Sequence, residues 1–259
     1  INVLDKNGLL ALYLKRRYHI PYFIIEHWSG YLPANFAFRG GWHGWIMRHI
    51  AKHSNGIMPV SNVLKNAMQT CGIENAHWQK INNVVDDFFY QPYVKEPRTK
   101  KRLLHVSCFD EKAKNIKGLL RATRKVAEKR QDFELVLVGT GVDFEAVKTY
   151  ADSLQFPDEM LLFTGEKTPT QVCQWMQQSD AFVLFSRYET AGVVLAECLA
   201  VGLPIIGANA GAIPEVVNAQ TGMLVPSEDE NALANAISFM LDHYQEYDTA
   251  LICEHGKQY

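Results

Sequence analysis

The sequence predicts an α/β protein built on a parallel, doubly wound sheet, and three observations carry that prediction. From residue 102 onward, short apolar runs alternate with longer amphipathic ones, the order in which strands and crossover helices follow one another. The runs ELVLVG and AFVLFS are apolar almost without interruption, as strands covered on both faces are. The chain has 259 residues, enough for one large domain or two ordinary ones, and its 47% hydrophobic and 21% charged content suits a packed globular core.

Taken in order, PYFIIEH (21–27) reads as a strand and 42–53 as a helix. GIMPV (56–60) is a short strand, and SNVLKNAMQTCG (61–72) a helix opened by Ser61 as N-cap and closed before Gly72. KINNVV (80–85) is a further strand candidate. Residues 86–101, DDFFYQPYVKEPRTKK, carry two prolines, several charges and no period, which reads as a linker. Three parts follow: 1–85, the linker 86–101, and 102–259. In the last part, strands are expected at 102–109, 133–139, 160–165, 180–186, 203–208 and 222–226. Helices are expected at 115–130, 144–154, 169–179, 190–202 and 229–244. The N-terminal stretch has neither initiator Met nor signal layout, and ICEHGKQY at the end shows no helix cap. Both ends read as cuts through a longer protein.

Several function classes are disfavoured. A net charge of -2 gives no bulk electrostatic case for nucleic acid. No apolar run approaches bilayer length. The five cysteines, an odd number without a CxxC, read as reduced thiols of a cytosolic protein. His49 and His53 have zinc-ligand spacing but lack the intervening glutamate of H-E-x-x-H, so a solvated helix face is expected. No metal site is expected.

Ligands of open parallel sheets bind beyond the carboxyl ends of the strands. The stretches to watch are therefore 107–115, 139–142, 165–169, 186–192 and 208–213. In 187–217, RYETAGVVLAECLAVGLPIIGANAGAIPEVV, two glutamates stand eight positions apart. With a helix starting near Thr190, Glu189 sits at its mouth and Glu197 about two turns down, roughly 12 Å along the axis. The N–H groups of 191–193 would suit a phosphate, and Glu197 a ribose diol. By themselves the two carboxylates read equally as a cap and a solvent-reaching or paired side chain.

The whole stretch resembles the E-x7-E signature of glycosyltransferase family 4, the retaining nucleotide-sugar transferases of GT-B fold. IMPVSNVLKNAMQTCGI, INNVVDDFFYQP, LLHVSCFDEKAKNIKGLLRA and TGMLVP resemble further family segments. The resemblance implies two Rossmann-like domains with parallel sheets, the N-terminal one incomplete here, and a donor site in 102–259. It implies that Glu197 binds the ribose, that Glu189 faces the donor hexose, and that Gly192 and Val193 offer N–H groups. Lys114 takes the family's lysine position on the diphosphate, with Lys112 beside it. Cys108 stands where the family carries arginine. Gly139 and Gly141 match its glycine turn, which a tight strand-to-helix turn explains equally well, and His27 matches a histidine that hydrogen-bonds the donor sugar. The implied reaction is metal-independent, retaining transfer from a nucleotide diphosphate sugar, UDP- or GDP-linked, to an acceptor hydroxyl in cell-envelope or exopolysaccharide synthesis. No cofactor is expected. The alternative is a nucleotide-sugar-binding partner subunit that has lost activity. The implied partners are the donor and a glycan or lipid-linked acceptor. The expected location is cytoplasmic, with peripheral membrane association through the segment GGWHGWIMRHI open; Trp42 and Trp45 would otherwise be core or acceptor-cleft wall.

Overall fold

In the computed structural model, which describes all of residues 1–259, the chain falls into two units: Ile1–Asn83 with Tyr188–Ala191, and Val84–Arg187 with Gly192–Tyr259. The net charge divides unequally. The first unit holds 9 Lys and Arg against 4 Asp and Glu, and the second 17 against 24, giving +5 and -7.

The first unit runs α1 (Gly8–Tyr18), β1 (Phe23–Glu26), α2 (Gly41–His53), β2 (Gly56–Pro59) and α3 (Asn62–Thr70). β1 and β2 pair in parallel, with Ile24 opposite Ile57 and both fully buried. As predicted, the Ser61 side chain accepts from Leu64 N and caps α3. α1 has no sequence counterpart above, because only Gly8 and Leu12 of it are buried while Leu10 and Tyr13 lie exposed, which blurs its apolar stripe. The strand expected at 80–85 does not form. The pairing lies upstream: Ile57 N donates to His77 O, Gln79 N to Ile57 O and Ile81 N to Pro59 O, with one isolated bridge between Ile57 and Trp78.

The second unit carries β3 (Lys101–Val106), α4 (Glu111–Lys114), α5 (Ile116–Ala127), β4 (Phe133–Val138), α6 (Phe144–Ser153), β5 (Leu161–Gly165), α7 (Pro169–Gln177), β6 (Ala181–Leu184), α8 (Val193–Ala200), β7 (Ile205–Ala208), β8 (Gly222–Val225), α9 (Glu230–His243) and α10 (Thr249–Gly256). Its six strands form one parallel sheet in the order β5-β4-β3-β6-β7-β8. The order reverses between β3 and β6, so the switch point lies at their carboxyl ends. All four residues of β6 and of β7 are buried, as covering on both faces requires.

Residues 84–100, aperiodic in sequence, lie with this second unit. Phe89 is buried in its core, Tyr93 OH donates to Val201 O, and Lys95 Nζ and Arg98 Nη2 reach the carboxylate of Asp180 at 2.6 and 2.9 Å. Side chains thus hold a segment whose prolines cannot donate to a ladder. The C-terminal stretch belongs to a helix: the Asp248 carboxylate accepts from Ala250 N and Leu251 N and opens α10, which packs on α8.

Candidate functional site at the carboxyl ends of β3 and β6

β3 ends in a loop shaped from below by the glycine turn after β4. Gly139 has φ +125°, and a Cβ there would lie 2.0 Å from Ser107 O; one on Gly141 would lie 2.6 Å from Phe109 N. These glycines therefore admit the 107–109 backbone itself. Phe109 N donates to Thr140 O, and Asp143 N to Phe109 O. Cys108 is displayed to solvent on the loop so held. The other cysteines range from buried (Cys173, Cys198) to half-buried (Cys71, Cys253).

α4 follows at once. Asp110 caps it by accepting from Ala113 N, and Asp143 Oδ2 accepts from Glu111 N at 2.8 Å. Lys112 is exposed and Lys114 half-buried. Asn115 then turns the chain at φ +50° into α5. Gly118 leaves room for the Asn115 amide, which stands 2.6 Å from where a Cβ would be. Beneath Lys114 lies His105, fully buried on β3. Its Nδ1 is 2.9 Å from Val183 O and its Nε2 2.7 Å from Ser107 Oγ. A carbonyl only accepts, so the ring proton sits on Nδ1 and Nε2 accepts from the serine. Burial pulls the imidazole down to about 4, the Val183 hydrogen bond opposes, and the Lys114 charge adds to the fall. His105 thus stays neutral beneath a cation.

β6 exits through 185–192. Arg187 N donates to Ala113 O at 2.8 Å, and its guanidinium reaches Glu111 O, Asn115 Oδ1 and Glu228 Oε1. Glu189 follows and is buried. α8 begins at Val193, not near Thr190, because Gly192 at φ +63° breaks the helical path. Glu189 and Glu197 therefore do not share a helix, and the axial spacing derived from one helix does not apply. Gly192 is the N-cap residue of α8 and Val193 its exposed first residue.

Glu197 lies in the second turn of α8, half-buried, with neither hydrogen bond nor ion pair to any group of the chain. Burial pushes its carboxyl up to about 7, and the nearby Asp86 charge adds to the rise. A carboxylate so placed lacks donors, and an incoming pair of hydroxyls would supply them.

In the first unit, His27 follows β1 and is half-buried. Glu26 beside it is fully buried: its carboxylate accepts from the backbone N–H of His27, Trp28 and Leu4 at 2.8–2.9 Å. The chain exit that carries His27 is thus fixed by three charge-assisted bonds. Trp42 and Trp45 are 73% and 53% exposed with rings stacked at 5.0 Å, so they are not core. A cavity of about 600 Å³ lies at the opposite end of the second unit's sheet, lined among others by Tyr90, Tyr93, Tyr244 and Cys253, and holds none of the candidate site residues.

The sequence reading named Glu197, Lys114 and the glycines, and did not single out His105 and Arg187. The signal for His105 was a lone polar residue inside an apolar strand run, RLLHVS. Arg187 acts on backbone carbonyls, which leave no mark in a sequence.

Two parallel-sheet units, with a cationic turn after β3 and an acidic loop and helix after β6, define an α/β protein of GT-B fold. Residues 88–252 match the family model of glycosyl transferases group 1, and the chain belongs to that family. It is 30% identical over 207 residues to the N-acetyl-alpha-D-glucosaminyl L-malate synthase of Bacillus anthracis, covering 76% of this chain and 53% of that protein. It is 31% identical over 147 residues to the phosphatidyl-myo-inositol mannosyltransferase of Mycobacterium leprae, covering 56% and 38%. The chain thus spans about half or less of the length of these relatives. Among solved structures, sucrose-phosphate synthase from Thermosynechococcus elongatus superposes with a TM-score of 0.80 at 21% identity, covering 99% of this chain and 66% of that one. Anabaena HepE in complex with UDP superposes with 0.79 at 17%, covering 97% and 71%. At these identities the likeness is one of fold.

Proposed function

We propose that the chain is the donor-binding part of a retaining, metal-independent glycosyltransferase that moves a sugar from a nucleotide diphosphate sugar to an acceptor hydroxyl in envelope or exopolysaccharide synthesis. The observation that carries the reading is Glu197, a carboxylate largely withdrawn from water with no partner of its own. A ribose presents two adjacent hydroxyls that would each donate to it. The diphosphate charge is assigned to Lys114, with Lys112 beside it, and to the N–H groups at Gly192 and Val193, since a helix start favours anions. Gly139 and Gly141 serve this site through the loop they shape. His27 and Glu189 are assigned to the hexose and the reacting centre. HepE, a structural neighbour, is described in complex with UDP and with UDP-glucose, which makes UDP the first nucleotide to try. No helix is long and apolar enough to cross a membrane; association with a lipid-linked acceptor would be peripheral, and a cytoplasmic location suits this donor class.

The test is calorimetric titration of UDP, GDP, ADP and CDP into the chain and into Glu197→Ala. Binding of one nucleotide, weakened at least tenfold in the variant, supports the ribose assignment and names the donor class. Binding undiminished by Glu197→Ala would sink it. Cys108, exposed where the family carries arginine, favours the second reading, a nucleotide-sugar-binding subunit without turnover; sugar transfer to any acceptor would rule that out.

A further inference from the structure

We infer that Arg187 is a positioning residue for the diphosphate-binding lysines, an inference that rests on the proposed donor site. α4 has only four residues, too short to persist unaided; Glu111 O accepts from Asn115 N at 3.2 Å, and the carbonyls after it lie at the end of the helical ladder. Arg187 serves three consecutive carbonyls of the turn. Its backbone N donates to Ala113 O at 2.8 Å, and its Nη1 donates to Glu111 O at 2.5 Å and approaches Lys112 O at 3.4 Å. Nη2 donates to Asn115 Oδ1 at 2.8 Å, fixing the left-handed residue that ends the turn. Nε donates to Glu228 Oε1 at 2.8 Å, which orients the guanidinium from the loop after β8. One planar fork therefore joins the exits of β3, β6 and β8.

The residues it serves bracket both candidate cations, Lys112 and Lys114. The Arg187 charge is countered by Glu228 at 2.8 Å and Glu111 at 3.9 Å, so what it brings to the turn is geometry. A lysine in its place would keep the charge but could not reach several acceptors at once.

Two measurements on the full chain test this. UDP and GDP, and separately UMP and GMP, are titrated into wild type, Arg187→Ala and Arg187→Lys. Backbone amide exchange is followed without ligand. Arg187→Ala is expected to weaken the diphosphate about tenfold and the monophosphate less than twofold, with Arg187→Lys within threefold of it. Exchange at 113–117 is expected to rise at least tenfold, while β3 and β4 keep their protection. Equal losses for diphosphate and monophosphate would mean a general structural role and overturn the inference. So would full recovery in Arg187→Lys, or unchanged exchange at 113–117. If wild type binds no nucleoside diphosphate, the donor-site reading falls and the inference with it, an outcome told apart from the others because wild type itself is silent.

Discussion

Replacing Glu197 by glutamine should stabilise the protein at neutral pH. The carboxyl moves from an unfolded value near 4.5 to about 7 in the fold. Between those values the folded chain holds a proton that the unfolded chain has released, so stability falls as pH rises through the window. The cost is absent below pH 4.5 and complete above 7. At 1.36 kcal/mol per unit the shift corresponds to about 3 kcal/mol, and partial solvent contact reduces this to about 2 kcal/mol. His105 works in the opposite direction. Its folded value of about 4 lies below the unfolded 6.5, so its contribution is complete above pH 6.5 and lost as pH falls through 4. The two slopes oppose each other, so each offsets part of the other between pH 4.5 and 6.5. Urea denaturation of wild type and Glu197→Gln at pH 4.5, 5.5, 6.5 and 7.5 checks this. The variant should match wild type at pH 4.5 and exceed it by about 2 kcal/mol at 7.5, the difference opening between those two values. Superposable profiles would refute the reasoning, for they would mean that Glu197 is solvated or paired.

Three further outcomes are expected. Asp180→Ala leaves Lys95, Arg98 and the N–H of Arg102 without their shared acceptor and should cost about 3 kcal/mol in urea denaturation, with nucleotide affinity unchanged because Asp180 opens β6 at the far end from the site. Gly139→Ala forces a methyl against Ser107 O and should lower stability by about 3 kcal/mol, read in the same assay, while displacing the Cys108 loop. Cys108→Arg places a bidentate cation on that loop and should tighten UDP or GDP about tenfold by calorimetry; an unchanged affinity would show that the position does not face the diphosphate.

The second unit was legible because its strands are buried on both faces, so runs such as ELVLVG carry an unambiguous apolar signal. The cap at Ser61 was legible for a local reason, an oxygen beside orphan N–H groups. α1 escaped because its apolar stripe is thin, and the strand expected at 80–85 failed because β2 had already taken its partner from 77–81. The start of α8 was misplaced by three residues: Thr190 and Ala191 fit a helical period, and only the positive φ of Gly192 stops it. Glu197 was conspicuous as a carboxylate in an apolar run, but whether it was paired depends on residues distant in sequence, Asp86 among them. Arg187 was invisible for the same reason, since three of its acceptors are carbonyls on another loop.

The anchoring of residues 84–100 decides where the molecule can be cut. A fragment starting at residue 102, where the regular alternation begins, would discard Phe89 from a packed core and strip Asp180 of both its cations. One starting at Val84 keeps them. The proline-containing stretch that resembles disposable tether is the first structural course of the second unit, and protease digestion should spare it while an excised 84–259 piece outlives 102–259 on heating.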